Sequence, residues 1–137
     1  MTSAPDIRIA AAVIVDARGR TLLVRKRGTR VFMQAGGKVA ADETPVEALR
    51  RELREELDCD LAEPPRPLGR FTAPAANEPG LTIEAELFEV ALDGEVRPAA
   101  EIEDAIWYDP DDLGSVTLAP LTRNYVLPLV PILRRYP

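Results

Sequence analysis

The order of the elements along the chain predicts an α/β (α+β) fold, an α/β/α sandwich with helices on both faces of a mixed sheet. Two observations predict it. Strand-like apolar segments lie on both sides of one strongly amphipathic helix, and a second apolar segment with near-helical spacing ends the chain. Because the chain has 137 residues, with no internal repeat and no linker, we expect residues 1–137 to form a single domain.

Composition and charge exclude several functions. The chain is 46% apolar and 29% charged, which is typical of a globular protein, and its net charge is -6. No basic tract suggests a groove for polymeric nucleic acid, although metal ions could mediate contact with a small phosphorylated ligand. The absence of histidine excludes histidine bases and histidine-bound zinc. Hydrolytic chemistry would therefore depend on carboxylates, lysine, tyrosine or metal-bound water.

The cysteine count and the hydropathy bear on location. A single cysteine excludes an intramolecular disulfide and is typical of a reducing compartment, so we expect a cytoplasmic protein. The apolar run at residues 9–15 is too short to cross a bilayer and lacks the layout of a signal peptide. We therefore expect no membrane partner.

Three strands are predicted before the helix. Residues 7–15 are nearly all apolar, which is typical of a strand buried on both faces. A turn signal at 16–19 separates them from a second strand at 21–27, so the two are expected to form a hairpin. Val31–Met33 is a short apolar strand that leads into two glycines.

Several basic side chains have two open interpretations, phosphate contact or solubilising surface charge. Three of them end the second predicted strand and one follows the double glycine directly. They are Arg25, Lys26, Arg27 and Lys38.

The helix has an unusually explicit start. Thr44 is a good N-cap, Pro45 occupies the first helical position, and Glu47 lies where a capping box requires it. Apolar residues at spacings of three and four predict the buried stripe, namely Val46, Leu49, Leu53 and Leu57.

Three glutamates share a different face of this helix. Glu52, Glu55 and Glu56 have spacings of three and one, so their carboxylates are neighbours and repel one another. Helix stability does not require this arrangement, so the cluster points to a bound cation. The alternative is a solvated acidic face.

The remainder of the chain predicts strands and loops. Residues 62–80 are rich in proline and are expected to be a loop with one short strand near 68–72. Residues 81–92 form a strand whose apolar residues change parity near Leu87, which predicts a bulge there. A short strand at 105–108 places Trp107, which we expect in the core rather than stacked on a base.

The chain ends in an apolar segment with near-helical spacing at residues 118–136. Pro128 and Pro131 are expected to kink or divide it. This segment and the apolar first strand could each contribute to a homodimer contact.

The spacing of Gly37, Glu43, the Arg51-Glu52-Leu53 triplet and the Glu55-Glu56 pair resembles the signature of the Nudix hydrolases. That signature ends with a glycine and an aliphatic residue, where this chain has Asp58 and Cys59. Aspartate tolerates the left-handed conformation that ends a helix, and cysteine packs as a small apolar residue. These departures concern the helix end and leave the carboxylates intact.

The resemblance implies a Nudix-type sandwich and an enzyme that cleaves a diphosphate linked to a nucleoside or a similar group. It implies that Mg²⁺ (or Mn²⁺) binds the phosphates and polarises the attacking water. The metal-binding and catalytic carboxylates would be Glu52, Glu55 and Glu56, with the Gly36 carbonyl as a further metal ligand. Glu43 and Arg51 would pair and brace the loop against the helix, although Glu43 could also reach the metal.

Residues outside the signature complete the expected site. Glu101 precedes Trp107 at the distance where small nucleotide-cleaving members place a further metal-binding or catalytic carboxylate, and Glu103 is the neighbour that could replace it. Asn124 and Thr122 lie where related enzymes place a purine-reading side chain, although a helix cap or a surface polar group is the alternative. Which glutamate acts as general base stays open.

The substrate has three interpretations. The first is a (d)NTP, normal or damaged, cleaved to pyrophosphate and a monophosphate. The second is ADP-ribose or another nucleotide sugar, because members of that type tend to carry a proline about where Pro74 stands. The third is a nucleotide-binding module without turnover. The expected partner is a small-molecule nucleotide in each case.

Overall fold

The computed structural model describes residues 5–112 and 114–133, and within these ranges the chain alternates strands with one long helix. Before the helix come β1 (Ile7–Val13), β2 (Thr21–Lys26), β3 (Val31–Met33) and β4 (Gly36–Lys38). The long helix is α1 (Pro45–Leu57). After it come β5 (Asp60–Leu61), β6 (Arg66–Pro74), β7 (Thr82–Glu89), β8 (Leu92–Asp93), β9 (Ile102–Tyr108) and β10 (Thr117–Leu118).

The described chain ends in a helical segment, residues 122–132, in three successive parts. These are a π-helical turn at Thr122–Val126, the short helix α2 (Leu127–Leu129) and a 3₁₀ turn at Val130–Ile132. Pro128 and Pro131 lie within the second and third parts, where their missing N–H groups interrupt regular helix formation. The predicted division of this segment is therefore confirmed up to residue 133, and residues 134–136 lie outside the described residues.

The strands form two four-stranded sheets and a small pair. The first sheet has the order β4-β1-β7-β6 and is mixed, because β1 and β7 are parallel while its other pairs are antiparallel. The second sheet has the order β10-β3-β2-β9. Strands β5 and β8 pair only with each other among the described strands.

Helices cover both faces of the first sheet. Successive side chains of β1 point to opposite faces. Ala10 and Ala12 pack in one buried cluster with Leu49 and Leu53 of α1. On the opposite face, Val13 packs in a second cluster with the C-terminal helical segment, through Leu121, Val126 and Val130. The predicted α/β/α sandwich with a mixed sheet is therefore confirmed.

The predicted hairpin of the first two strands is wrong. β1 pairs with β4 and β7, whereas β2 pairs with β3 and β9 in the other sheet. The backbone contact between the two segments is limited to the turn: Val15 and Thr21 form a bridge, and the Leu22 N–H donates a hydrogen bond of 3.0 Å to the Ile14 carbonyl. The turn at residues 16–19 reverses the direction of the chain, and the chain passes there from the first sheet to the second.

The predicted bulge and loop also need correction. β7 pairs with β1 in continuous register, and the irregularity lies on β6, between Pro67 and Gly69. The parity of the apolar residues changes because both faces of β7 are covered at that point: Leu87 packs in one cluster and Phe88 in the other. Strand β6 is also far longer than the short strand expected within a loop.

Two expectations about surfaces are wrong. Trp107, expected in the core, is 37% exposed because β9 is an edge strand of the second sheet. β1 has no free edge and its apolar side chains are largely buried, so it cannot supply the dimer contact assigned to it. A homodimer through the C-terminal segment stays a prediction.

None of the helices in the described ranges is both long and apolar enough to cross a membrane.

Candidate active site

The site is built on α1, whose ends the sequence specifies. Thr44 accepts a hydrogen bond from the Glu47 backbone N–H, and the Glu47 carboxylate accepts one from the Thr44 N–H, which completes the predicted capping box. At the other end Asp58 adopts the left-handed conformation with φ of 53°. Cys59 is buried in the core cluster beside α1. Both departures from the Nudix signature are thus accommodated at the helix end as expected.

Glu56 lies buried beneath the glycine turn. Its side chain is 3% exposed, and its Oε1 accepts a hydrogen bond of 2.8 Å from the Gly36 backbone N–H. Burial raises the pKa of Glu56 to about 8, the Gly36 N–H opposes this shift, and the negative charges of Glu52 and Glu101 add to it. Burial of Glu56 away from water disfavours its ionised form, and so do the negative charges of the neighbouring carboxylates. This is expected of a site whose carboxylates bind a cation.

The two glycines of β4 allow close approach of the neighbouring strand β1 on one side and of Glu52 from α1 on the other. Gly36 has a φ of 143°, and a Cβ there would overlap the backbone of Ala10. A Cβ on Gly37 would overlap the carboxylate of Glu52. Glycine is therefore required at one position by the sheet backbone and at the next by an acidic side chain of the site.

Arg51 links the loop, the sheet and the helix. Its guanidinium donates two hydrogen bonds of 2.8 Å to Glu43, one of 2.8 Å to Glu52 and one of 3.1 Å to the Lys38 carbonyl. The hydrogen bonds from Arg51 are the main reason that the pKa of Glu43 falls to about 2. The pKa of Glu52 is nevertheless raised, because burial outweighs its bond to Arg51. Glu43 and Arg51 thus pair as predicted, and Arg51 also positions Glu52.

Glu55 is the most exposed of the three helix glutamates. Its side chain is 54% exposed and its carboxylate lies 3.6 Å from the Arg51 guanidinium. Among the described residues, no group of three acidic or cysteine side chains is already gathered closely enough to form a complete metal site. Binding of a cation would therefore require rotation of exposed carboxylates such as Glu55 and Glu101.

A cavity of about 420 Å³ opens beside this cluster. Its charged part includes Glu52, Glu101, Lys26 and Lys38. Lys26 lies 3.6 Å from Glu101, and Lys38 lies 3.8 Å from Glu78 on the loop after β6. The structure therefore brings the predicted Glu101 and two of the predicted basic residues to the same cavity as Glu52.

Other predicted site residues lie away from it. Arg25 donates hydrogen bonds to Asp104 and to the Thr29 carbonyl, and Arg27 pairs with Glu103. Asn124 is exposed, and neither it nor these arginines line the cavity. The strand alternation explains the arginines: in β2, successive side chains point to opposite faces, so Lys26 faces the cavity and its neighbours do not.

Three polar residues of the cavity wall, Gln34, Asn77 and Glu78, were not among the predicted site residues. Gln34 is 6% exposed and lines the cavity together with the fully buried Thr122. The signal available in the sequence was a glutamine between Met33 and Ala35, an isolated polar residue in an apolar run before the glycine turn.

The donor set suits a hard divalent cation. Mg²⁺ and Mn²⁺ prefer carboxylate, carbonyl and water oxygens, and the site offers carboxylate oxygens from Glu52, Glu56 and Glu101, with Glu52 and Glu101 close enough to raise the pKa of Glu56. The pKa values of Glu56 and Glu52 are raised, which means that ionising these buried carboxyls is unfavourable in the protein alone. A bound cation would offset this cost. The residues present therefore fit such an ion.

Comparison with known proteins agrees with this geometry. The NUDIX domain family model matches residues 6–130. A Haemophilus influenzae protein named 8-oxo-dGTP diphosphatase is 42% identical over 55 residues, which are 37% of this chain and 40% of that protein. A Marinomonas protein named RNA pyrophosphohydrolase is 40% identical over 48 residues, 35% of this chain and 30% of that protein. Each match thus spans less than half of the relative's length.

Solved structures with a similar fold include a NUDIX protein. The crystal structure of a MutT NUDIX hydrolase from Burkholderia pseudomallei superposes with a TM-score of 0.72 at 25% identity, over 93% of this chain and 96% of that chain. Nudix hydrolases generally use a divalent metal ion. Because the family model spans nearly all of the described residues and the glutamate cluster is intact, the chain belongs to the NUDIX domain family.

Proposed function

We propose that the protein is a Mg²⁺- (or Mn²⁺-) dependent pyrophosphohydrolase that cleaves a nucleoside triphosphate to a monophosphate and pyrophosphate. The observation that carries the proposal is one cavity with two unlike parts. Glu52, Glu101, Lys26 and Lys38 line the charged part, and aliphatic side chains line the remainder, among them Ile7, Ile9, Met33, Ile83 and Leu121. A triphosphate suits the first part and a nucleoside suits the second.

Acidic and basic residues of the site would bind the phosphates in different ways. Glu52, Glu55, Glu56 and Glu101, with the Gly36 carbonyl, would hold the cation, which when bound offsets the phosphate charge and polarises water for attack on phosphorus. Lys26 and Lys38 would exchange their present carboxylate partners for phosphate oxygens. Arg51 would keep Glu52 oriented through its bond of 2.8 Å.

The carboxylates also supply candidate proton acceptors. A general base among the glutamates would accept the proton of the attacking water as the bond from oxygen to phosphorus forms. The bond between the α- and β-phosphates would break, which releases the nucleoside monophosphate and pyrophosphate.

The two curated relatives support cleavage of a phosphoanhydride. One is named for a diphosphatase of a damaged deoxynucleoside triphosphate, and the other for a pyrophosphohydrolase of RNA. A free nucleotide is the better substrate here, because the net charge is -6 and the sequence has no basic tract for a polymer. The reduced, buried Cys59 supports a cytoplasmic location for this activity.

A second candidate is the hydrolysis of ADP-ribose or another nucleotide sugar. The observation that favours it is that Pro74, the proline expected in enzymes of that type, lines the cavity beside Ala75 and Ala76. A third possibility, a nucleotide-binding module without turnover, is disfavoured because the glutamates of the signature are all present.

A substrate panel distinguishes these functions. Purified protein would be incubated with Mg²⁺ and the eight common (d)NTPs, 8-oxo-dGTP, ADP-ribose and UDP-glucose, and the products separated by anion exchange. We expect pyrophosphate and a monophosphate from at least one triphosphate. AMP and ribose phosphate from ADP-ribose alone would replace the proposal with the second candidate. Binding without turnover of any compound would contradict both.

A further inference from the structure

Gln34 places a side-chain amide in the wall of an otherwise largely aliphatic part of the cavity. Its Nε2 donates a hydrogen bond of 2.9 Å to the Ala12 carbonyl, and its Oε1 accepts one of 3.0 Å from the Thr122 hydroxyl. Thr122 is fully buried and Gln34 is 6% exposed. Gln34 lines the cavity, and the hydrogen bonds of its amide go to β1 and to the C-terminal helical segment.

These two bonds fix which end of the amide is which. A rotation by half a turn would bring Oε1 against the Ala12 carbonyl oxygen and Nε2 against the Thr122 hydroxyl. The first contact would place two acceptors together, and a buried polar group without a partner is costly. Gln34 therefore presents its donor and its acceptor in one fixed order.

Half of the hydrogen-bonding capacity of the amide remains unused. A carboxamide has two N–H donors and two acceptor lone pairs, and the contacts to Ala12 and Thr122 use one of each. The remaining donor and acceptor match a ligand edge on which an acceptor and a donor are adjacent. Nucleobases have such edges, and their flat apolar faces suit the neighbouring Met33 and Leu121.

Aromatic stacking does not supply the selection. None of the cavity-lining residues in the described ranges is Phe, Tyr or Trp. Aliphatic walls hold any base with similar strength, because they contact its faces and not its edges. Discrimination between bases therefore has to come from polar groups in the wall, and Gln34 is a buried one with spare capacity.

From these contacts we infer that Gln34 recognises the edge of the nucleobase and that Thr122 is a positioning residue that orients the Gln34 amide. The inference rests on the proposed nucleotide hydrolase function. Since only one donor and one acceptor are offered in fixed order, the enzyme discriminates between bases that present these groups in matching and in opposite order.

The test compares three variants across the four common ribonucleoside triphosphates. Gln34→Met keeps the length of the side chain and removes the amide, Thr122→Val removes the hydroxyl at constant shape, and Thr122→Ser is the matched control that keeps it. We expect the ratio of kcat/KM between the best and the worst base to fall about tenfold in Gln34→Met and several-fold in Thr122→Val. Thr122→Ser should retain the wild-type ratio.

A purely structural role predicts a different pattern. Loss of packing alone would lower kcat/KM for all four bases by a common factor and leave their ratio unchanged. That result overturns the inference, as does a wild-type enzyme with no preference between bases. Thermal melts identify any variant that fails to fold, and the Val and Ser variants at 122 still decide the question if Gln34→Met does not fold.

Binding separates this inference from the proposed reaction. The dissociation constants of the four nucleoside 5′-monophosphates would be measured by calorimetry for the same proteins. Loss of base preference in Gln34→Met and Thr122→Val supports the inference even if the wild type hydrolyses no triphosphate, an outcome that would contradict only the proposed reaction. Unchanged preference in both variants overturns the inference whatever the activity.

Discussion

The carboxylate of Glu56 accepts a hydrogen bond of 2.8 Å from the backbone N–H of Gly36, and this contact joins the helix to the glycine turn. The bond forms because Gly36 adopts a φ of 143° and has no Cβ to collide with Ala10. This hydrogen bond uses Oε1 of the buried Glu56, so Oε2 can contact other partners. The glycine turn and the glutamate cluster are therefore one structural unit.

Replacement of the helix glutamates tests their role in the reaction. Glu56→Gln preserves an acceptor for the Gly36 N–H but removes the charge, and Glu55→Gln removes a charge at an exposed position. We expect each to lower kcat by about 10²–10⁴-fold with a small change in melting temperature. Glu103→Gln, whose side chain pairs with Arg27 away from the cavity, is the control and should retain activity.

Near-normal activity in both glutamine variants would contradict the assignment of the helix cluster to the reaction. A comparable loss in Glu103→Gln would instead indicate a general effect of removing negative charge.

The adjacent glycines should respond differently to alanine. At Gly36 the added Cβ meets fixed backbone and the φ is unfavourable, so Gly36→Ala should destabilise the fold by about 1–3 kcal/mol. At Gly37 the Cβ meets the end of the flexible Glu52 side chain, which can move. We expect Gly37→Ala to melt nearly as the wild type but to lose about 100-fold in kcat/KM, because Glu52 is displaced.

Denaturant unfolding and steady-state kinetics on both alanine variants measure the difference. Equal losses of stability in the two variants, or full activity in Gly37→Ala, would contradict the proposed contact between Gly37 and Glu52.

The stability of the metal-free protein should depend on pH through Glu56. Burial raises its folded-state pKa to about 8 from the ordinary 4.5, so the folded state holds the proton more tightly than the unfolded chain. Its contribution to stability is therefore fully present below pH 4.5 and is lost as the pH rises from 4.5 to about 8. In EDTA, the melting temperature of the wild type should fall across this range more steeply than that of Glu56→Gln. Parallel curves would show that Glu56 has an ordinary pKa.

Glu101 should matter more than its neighbour on the same segment. It lines the cavity and lies 3.6 Å from Lys26, whereas Glu103 pairs with Arg27 outside it. We expect Glu101→Gln to raise the Mg²⁺ concentration needed for half-maximal activity by about tenfold, since one charged ligand is lost. A Mg²⁺ titration of activity measures this. An unchanged titration curve would remove Glu101 from the metal site.

The helix cap provides a stability change that is separate from the chemistry. Thr44→Ala removes the acceptor for the Glu47 N–H and should cost about 1 kcal/mol of folding free energy. Because the cap lies at the opposite end of α1 from Glu55 and Glu56, kcat should stay unchanged at temperatures where the variant is folded. Thr44→Ser should restore stability. A drop in kcat without a drop in stability would contradict this separation.

The sequence predicts local features of this protein well. The capping box, the buried stripe and the left-handed Asp58 all depend on residues within a few positions, and the structure shows each of them. Glu101 could be placed near the helix only through the family resemblance, because its distance to Lys26 arises from the pairing of β2 with β9.

Pairing between distant segments was not predictable in the same way. The turn at residues 16–19 suggests a hairpin, yet β1 and β2 enter different sheets because each has other strands to pair with. Gln34 and Thr122 are 88 positions apart, so no local pattern indicates their hydrogen bond. The polar wall of the cavity therefore becomes visible only in the structure.

The identity of the cleaved bond tests the central claim most directly. Phosphorus NMR would follow a nucleoside triphosphate that the enzyme accepts, in Mg²⁺ and then after addition of excess EDTA. We predict that pyrophosphate and the monophosphate appear together in equal amounts and that EDTA stops the reaction. Release of orthophosphate and a diphosphate, or turnover that continues in EDTA, would contradict the account.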